Sequence, residues 1–370
     1  QLPGFEVICL ERSTSEDQSE AGTGLNVGPN AIKALSRHLP DLASRVVEAS
    51  IPWRRWTIDL TDGTRLFDLD LCTIADNPGI RIRWAELYRL LREDLPIRYG
   101  EEVTSVALQA DGRVDVSVTG MRGSTTVPDV DLLIAADGRY SRIRSQLVGP
   151  PTPRQLGVSM YRVLLPKTPD CPIDDYAQWF CGPNRLLAFS VPGDLVYCAG
   201  AFPITSADGS IPDEMKRPET LRALYTPVDA RPCREAAFLI DGIAARAHEI
   251  HWARVQEDDI VFAVENWPVL FVGDASHPMI PTLGQGATQA VEDGCVVVAR
   301  ARERYGADRF LSDLPAAIDA ERRERVRFVM DFSREASDTM LAGADPVAGT
   351  IAKRGSSFQG NLKNLYCDVI

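Results

Sequence analysis

The chain has 370 residues, 45% of them hydrophobic and 25% charged, with a mean hydropathy of −0.12, a net charge of −12 and a pI near 5.0. That length exceeds what one hydrophobic core ordinarily supports, so two domains are expected. The acidic balance repels phosphate, which argues against nucleic acid and anionic lipid as partners.

No apolar run reaches the roughly 18 residues needed to cross a bilayer, and the first residues carry no signal-peptide pattern. The eight cysteines are scattered without a C-x-x-C pair and there are four histidines, so neither a disulfide framework nor a metal site is suggested. Reduced thiols in a cytoplasmic protein, monomer or homodimer, are expected.

Phe5–Leu10 is a short apolar run ending at Glu11 and predicts a strand. A polar stretch follows, and Pro29-Asn30-Ala31 then opens a helix with Ile32 and Leu35 on one face. Residues 55–69 predict a hairpin turning at Asp62-Gly63, and residues 103–120 a second one turning at Asp111-Gly112. Between them, residues 84–95 place Leu87, Leu90, Leu91 and Leu95 on a helical stripe. Residues 131–135 form a buried strand that meets Asp137-Gly138.

Residues 151–255 change character. Prolines are frequent and the apolar runs (SMYRVLLP, YAQWF, RLLAFSVP, LVYCAGAFP) suggest a mainly antiparallel sheet inserted between two halves of an α/β domain. From 269 the α/β pattern returns, with helices over 285–304 and about 313–337. The Arg- and Glu-rich run in the second is most simply a solvated face with i,i+4 pairs. The tail from Gly343 shows little periodicity.

Residues 269–293, VLFVGDASHPMIPTLGQGATQAVED, are the most informative stretch. An apolar strand ends in Gly273-Asp274, and Gly284-Gln285-Gly286 opens a helix after a Pro-bounded loop. Glycines admit close backbone approach, helix N-terminal N–H groups attract anions, and a carboxylate can grip hydroxyls. In dinucleotide folds an acidic residue ending the second strand, as Glu11 does, binds ribose hydroxyls about 20 residues after a G-x-G-x-x-G loop. That distance reaches back before residue 1, so the loop and its strand are expected upstream of Gln1.

Three segments in order, EAGTGLNVGPNAIKAL (20–35), DLLIAADGRYSRIR (131–144) and 269–293, resemble the motifs of the single-component FAD-dependent aromatic monooxygenases, the flavoprotein hydroxylases of the salicylate and para-hydroxybenzoate hydroxylase type. The resemblance implies a Rossmann-like, discontinuous FAD-binding α/β domain (1–150 and 256–342), an inserted substrate domain (151–255) and a C-terminal tail (343–370). It implies that NADH or NADPH reduces bound FAD, that dioxygen adds at flavin C4a, and that the hydroperoxide hydroxylates an aromatic or phenol-like small molecule.

By resemblance, Glu11, Gly22 and Gly24 lie along the cofactor, and Arg83, or else Arg81, faces the diphosphate. Asp137 and Gly138 meet the diphosphate and the nicotinamide donor, while Arg142 and Arg144 either hold structure or meet phosphate. Asp274 contacts the ribityl chain, Pro281 packs near the ring, and Gly284, Gln285, Gly286 and Ala287 present backbone to its edge. His277 is open to two roles, as a base beside a phenolic substrate or as a support for the Asp274 loop.

In the inserted sheet, Tyr161, Arg162, Phe189 and Tyr197 are candidates to face the substrate, Arg162 through a carboxylate or phenolate. The nucleophile elbow, H-E-x-x-H and Walker A motifs are absent from the sequence. Open alternatives are an epoxidase or oxidase of the same fold, or a small-ligand-binding protein without flavin.

Overall fold

Short apolar runs and amphipathic helices alternate as expected in the computed structural model, which describes residues 5–15, 23–93, 95–204, 210–304, 310–337, 339, 341 and 343–369. The first stretch holds β1 (Cys9–Glu11), β2 (Gly24–Val27), α1 (Pro29–His38), α2 (Pro40–Glu48), β3 (Ile51–Trp53), β4 (Arg55–Leu60), β5 (Arg65–Asp70), β6 (Gly79–Arg83) and α3 (Trp84–Arg92). Then come β7 (Ile97–Tyr99), β8 (Glu101–Leu108), β9 (Val114–Gly120), β10 (Gly123–Val130), β11 (Leu133–Ala135) and α4 (Arg142–Leu147). The middle holds β12 (Arg154–Pro166), β13 (Tyr176–Cys181), β14 (Asn184–Val191), β15 (Leu195–Pro203), α5 (Pro218–Tyr225), α6 (Arg234–Ala245) and β16 (His251–Glu257). The last part holds β17 (Val269–Phe271), α7 (Gln285–Arg304), α8 (Phe310–Ala336), α9 (Pro346–Ala352) and α10 (Ser356–Cys367).

The largest sheet has seven strands in the order β16-β12-β15-β14-β13-β4-β5. All its pairings are antiparallel except β13 with β4, so it draws on the 55–70 hairpin as well as on the 151–255 stretch. Both faces are covered, which is why β14 and β15 read as nearly continuous apolar runs. One face carries Leu187, Phe189, Tyr197 and Ala199 into the largest core. The other carries Leu186, Ala188, Val196 and Cys198 against Leu221 and Tyr225 of α5 and Leu239, Ile240 and Ile243 of α6.

The remaining elements form the α/β part. β1 pairs in parallel with β7, and β11 with β17. β6 lies between β2 and β3 in an antiparallel trio, and α1 contributes Ala31, Ile32 and Leu35 to a core shared with Cys295 of α7. The fold is therefore α/β with a large, mainly antiparallel sheet.

Several expectations are corrected. Of Phe5–Leu10 only Cys9 and Leu10 join a ladder, with Glu11 extending it. The helix at 84–95 ends at Arg92, and Leu91 and Leu95 are 39% and 49% exposed, because only Leu87 and Leu90 point at the core. The second hairpin gains a third strand, β10. The tail is helical: α10 buries Phe358, Leu362, Leu365 and Tyr366, spaced at i, i+4, i+7 and i+8. On α8, i,i+4 and i,i+3 pairs such as Arg323–Asp319 and Arg327–Glu324 do face outward, but Arg322 is wholly buried. Among the described residues no helix is long and apolar enough to cross a membrane.

Candidate active site

β17 delivers Gly273 with φ +58°, a left-handed conformation that suits glycine, and the short 3₁₀ turn Gly273–Ala275 then presents Asp274. The Asp274 side chain is 44% exposed, and its Oδ2 lies 3.9 Å from Nε of Arg139. Arg139 follows Asp137-Gly138, so the two motifs, far apart in sequence, meet here. Gly138 has φ +78°, and a Cβ added there would meet no atom within 4 Å, while Asp137 Oδ2 accepts the Arg142 N–H at 2.9 Å. The Arg142 side chain is exposed near Glu102, at 3.3 Å. Arg144 is structural: buried, it donates to the carbonyls of Ala275 and Ser276 at 3.2 Å and of Asp259 at 2.7 Å.

Gly284 (φ +65°) closes a turn on the Pro281 carbonyl at 3.0 Å and starts α7. A Cβ at Gly284 would lie 2.7 Å from Asn26 Nδ2, whereas at Gly286 its nearest neighbour would be Asp274 Oδ1 at 3.9 Å. Pro281 is exposed, and Gly286 and Ala287 are half-buried. α7 has no acidic residue in its first turn, where helix N–H groups have no intrahelical partner.

Beneath this surface runs a buried polar network. Arg322 of α8 donates from Nε to Asp293 Oδ1 at 2.9 Å, from Nη1 to Glu292 Oε2 at 2.8 Å and from Nη2 to Gln289 Oε1 at 2.7 Å. The other oxygen of Asp293 accepts the Gly273 N–H at 2.9 Å and lies 2.7 Å from His277 Nε2. Burial pushes the Asp293 carboxyl up, but His277, Arg322 and the Gly273 N–H outweigh it and hold the group below its ordinary range. Asn30 Nδ2 donates to Gln285 Oε1 at 3.0 Å, and the Gly28 N–H to Thr288 Oγ1 at 3.0 Å, which joins the start of α1 to the first turn of α7. His277 is fully buried, as a support for the loop requires.

The other candidates are distributed as follows. Glu11 ends β1, and its Oε1 accepts the Ser13 N–H at 2.7 Å. Gly22 lies outside the described residues. Gly24 is required by packing, since a Cβ there would sit 2.6 Å from Tyr197 Cβ. Arg81 is buried and committed to the carbonyls of Pro52 and Asp174, while Arg83 is half-buried at the start of α3.

On β12, Arg162 shares the inward face of the large sheet with Phe189 and Tyr197, whose rings stack at 4.7 Å. Tyr161 projects to the opposite face, fully buried beside Trp252 and in the core shared with α5 and α6. Gly24 and Asn26 are alternate residues of β2, so Tyr197 and Gly284 approach the same side of that strand about 7 Å apart along it. The aromatic face and the α7 N-terminus are thus neighbours.

The residues present fit a flavin. Gly286 leaves open room above the helix N-terminus beside Asp274, and the amide atoms Asn30 Oδ1 and Gln285 Nε2 are buried without a partner. Sequence reasoning passed over Arg139, Asp293 and Arg322.

No protein-family model matches the chain. It is 29% identical over 353 residues to 6-hydroxynicotinate 3-monooxygenase of Pseudomonas fluorescens, covering 90% of this chain and 85% of that one. It is 31% identical over 314 residues to 3-amino-4-hydroxybenzoate 2-monooxygenase PtmB3 of Streptomyces platensis, covering 80% and 73%. The fold matches Klebsiella pneumoniae HpxO, crystallised with FAD and uric acid, with a TM-score of 0.78 at 20% identity over 97% of this chain and 90% of that one. With these relatives, the chain belongs to the FAD-dependent aromatic monooxygenases.

Proposed function

We propose that this FAD-dependent monooxygenase hydroxylates a small phenol-like or heteroaromatic molecule, with NADH or NADPH as reductant and dioxygen as oxidant. The observation that carries the proposal is that Gly284 and Tyr197 approach the same side of β2, which sets an aromatic-lined sheet face beside the N-terminus of α7. FAD, when bound, supplies the redox and oxygen chemistry. The chain's own residues bind, orient and exclude water.

In this proposal Asp274 accepts from ribityl hydroxyls. The backbone of Gly284, Gln285, Gly286 and Ala287 offers N–H groups to the ring edge, where the positive end of α7 favours negative charge. Pro281 covers the ring. Glu11 meets ribose hydroxyls, Gly24 lies beside the cofactor, and Arg83, Asp137 and Gly138 meet the diphosphate, with Arg139 holding Asp274. His277 positions the Asp274 loop through Asp293, and Arg162, Phe189 and Tyr197 face the substrate. The cofactor part is assigned to 1–150 and 256–342 without the β4–β5 hairpin, which completes the substrate part at 151–255, and 343–370 to a helical tail.

The test is to load the protein with FAD and follow NADH and NADPH oxidation with a panel of hydroxylated aromatic and heteroaromatic rings under ¹⁸O₂. One ring is expected to accelerate flavin reduction and to gain one labelled hydroxyl. Turnover that yields only hydrogen peroxide with every ring, or an epoxide, would remove the hydroxylase assignment.

A further inference from the structure

Asparagine is depleted in strands because its amide competes with the backbone for hydrogen bonds, yet Asn26 sits inside the four-residue strand β2. Its neighbours Leu25 and Val27 turn into the core shared with α1 and α7. Gly24 and Asn26 face the other way, Gly24 towards Tyr197 and Asn26 towards Gly284. In the ladder Asn26 lies opposite Arg81, whose guanidinium is already committed to the carbonyls of Pro52 and Asp174.

The Asn26 side chain is half-buried and makes no hydrogen bond among the described residues. A Cβ built on Gly284 would lie 2.7 Å from its Nδ2, 3.0 Å from its Oδ1 and 3.1 Å from its Cγ. Three such similar distances mean that the amide turns its flat face to the glycine. Hydrogen bonds to an amide run close to its plane, so neither polar end is spent on the first turn of α7. Both remain available where that turn meets the aromatic sheet face.

We infer that Asn26 hydrogen-bonds a hydroxyl on the aromatic substrate, and that this contact makes the enzyme prefer hydroxylated rings to the same rings without the hydroxyl. The inference rests on the proposed hydroxylase function, which sets the ring against Phe189 and Tyr197. Tyr197 and Asn26 act on β2 about 7 Å apart, a span that one substituted six-membered ring bridges. The amide offers an acceptor in Oδ1 and a donor in Nδ2, and a hydroxyl can use either. It neither takes nor releases a proton near neutral pH, so Asn26 orients the ring and leaves its ionisation alone. A ring without the hydroxyl would strip water from the amide and leave it unpaired, which the hydroxylated ring avoids.

Matched rings test this directly: 4-hydroxybenzoate against benzoate, 6-hydroxynicotinate against nicotinate, and 3-hydroxypyridine against pyridine. Each is titrated into the FAD-loaded wild type, Asn26→Leu and Asn26→Ala, and binding is read by calorimetry and by perturbation of the flavin spectrum. Leucine keeps the shape of asparagine without its polar ends, and alanine adds no bulk over Gly284. The wild type is expected to favour at least one hydroxylated ring over its partner by about tenfold, the worth of one such hydrogen bond. Both variants should bring that pair to near equality while binding FAD and the unhydroxylated ring as the wild type does. A merely structural role would weaken both members of the pair alike.

Equal binding of every pair by the wild type, or no binding of any hydroxylated ring, would overturn the inference. So would a preference that survives in both variants, or variants that lose FAD and keep the preference, which would assign Asn26 to the cofactor. A preference abolished by the variants in an enzyme that yields only hydrogen peroxide would remove the hydroxylase function and leave the Asn26 contact standing.

Discussion

Asp293 keeps its two oxygens in different company: one receives Arg322, the other the Gly273 N–H and the His277 ring. A buried pair broken on one side leaves an uncompensated charge, which costs about 3–5 kcal/mol. Arg322→Met is therefore expected to lower stability by about that amount in urea unfolding, and to loosen the Asp274 turn along with it. The acid side gives a separate check. The folded Asp293 carboxyl titrates below its unfolded value of about 3.9, so its ionisation stabilises the fold above that pH. That contribution is lost as pH falls below about 4 through the folded value. Asp293→Asn should be less stable at neutral pH and show a shallower loss of stability between about pH 4 and pH 2. Identical acid slopes in the two proteins would count against this role.

At the scale of the element, α7 depends on how it begins. Gly284 holds a left-handed backbone that costs other residues roughly 1–2 kcal/mol, and a Cβ would also press on the Asn26 amide at 2.7 Å. Gly284→Ala is expected to shift the first turn and weaken FAD binding by about tenfold, which corresponds to about 1.4 kcal/mol, read by fluorescence titration of the flavin. An unchanged Kd would show that the first turn does not touch the cofactor. The tail helix α10 rests on Phe358, 6% exposed, whose ring lies 5.1 Å from Phe332 and 6.2 Å from Trp56. Phe358→Ala should cost about 3–5 kcal/mol, measured by chemical unfolding. A loss under about 1 kcal/mol would mean that the tail packs loosely.

At the scale of the molecule, the proposed cofactor contacts are spread from Glu11 to Ala287, and no single segment holds them. A ligand that binds only the assembled fold stabilises it in proportion to the logarithm of its concentration, by about 2.7 kcal/mol at a hundredfold excess over Kd. The Tm should therefore climb steadily with added FAD, and one transition should report both the sheet core and the α7–α8 core. A Tm insensitive to FAD would argue against a site that ties these segments together.

The chain's local patterns were enough for the α/β class, a large and mainly antiparallel sheet, both Asp-Gly hairpins and the two glycine-bearing turns at 137–138 and 273–286. Each of these depends on short-range chemistry: apolar periodicity, turn residues with positive φ, and a helix start marked by proline or glycine. The α10 stripe was legible in the same way and passed over, because its apolar positions are interspersed with Ser, Gly and Asn. Other features required distant residues to meet. Arg322 looked like one more solvated charge until α8 packed on α7 and enclosed it with Glu292 and Asp293. Arg139 acquired a partner only when β11 paired with β17 and brought Asp137-Gly138 beside Asp274. Gly24 is needed because Tyr197, more than 170 residues away, lies against it. Local sequence sets what each segment prefers to be; burial and charge pairing between segments, which depend on three-dimensional proximity, decide what each side chain does.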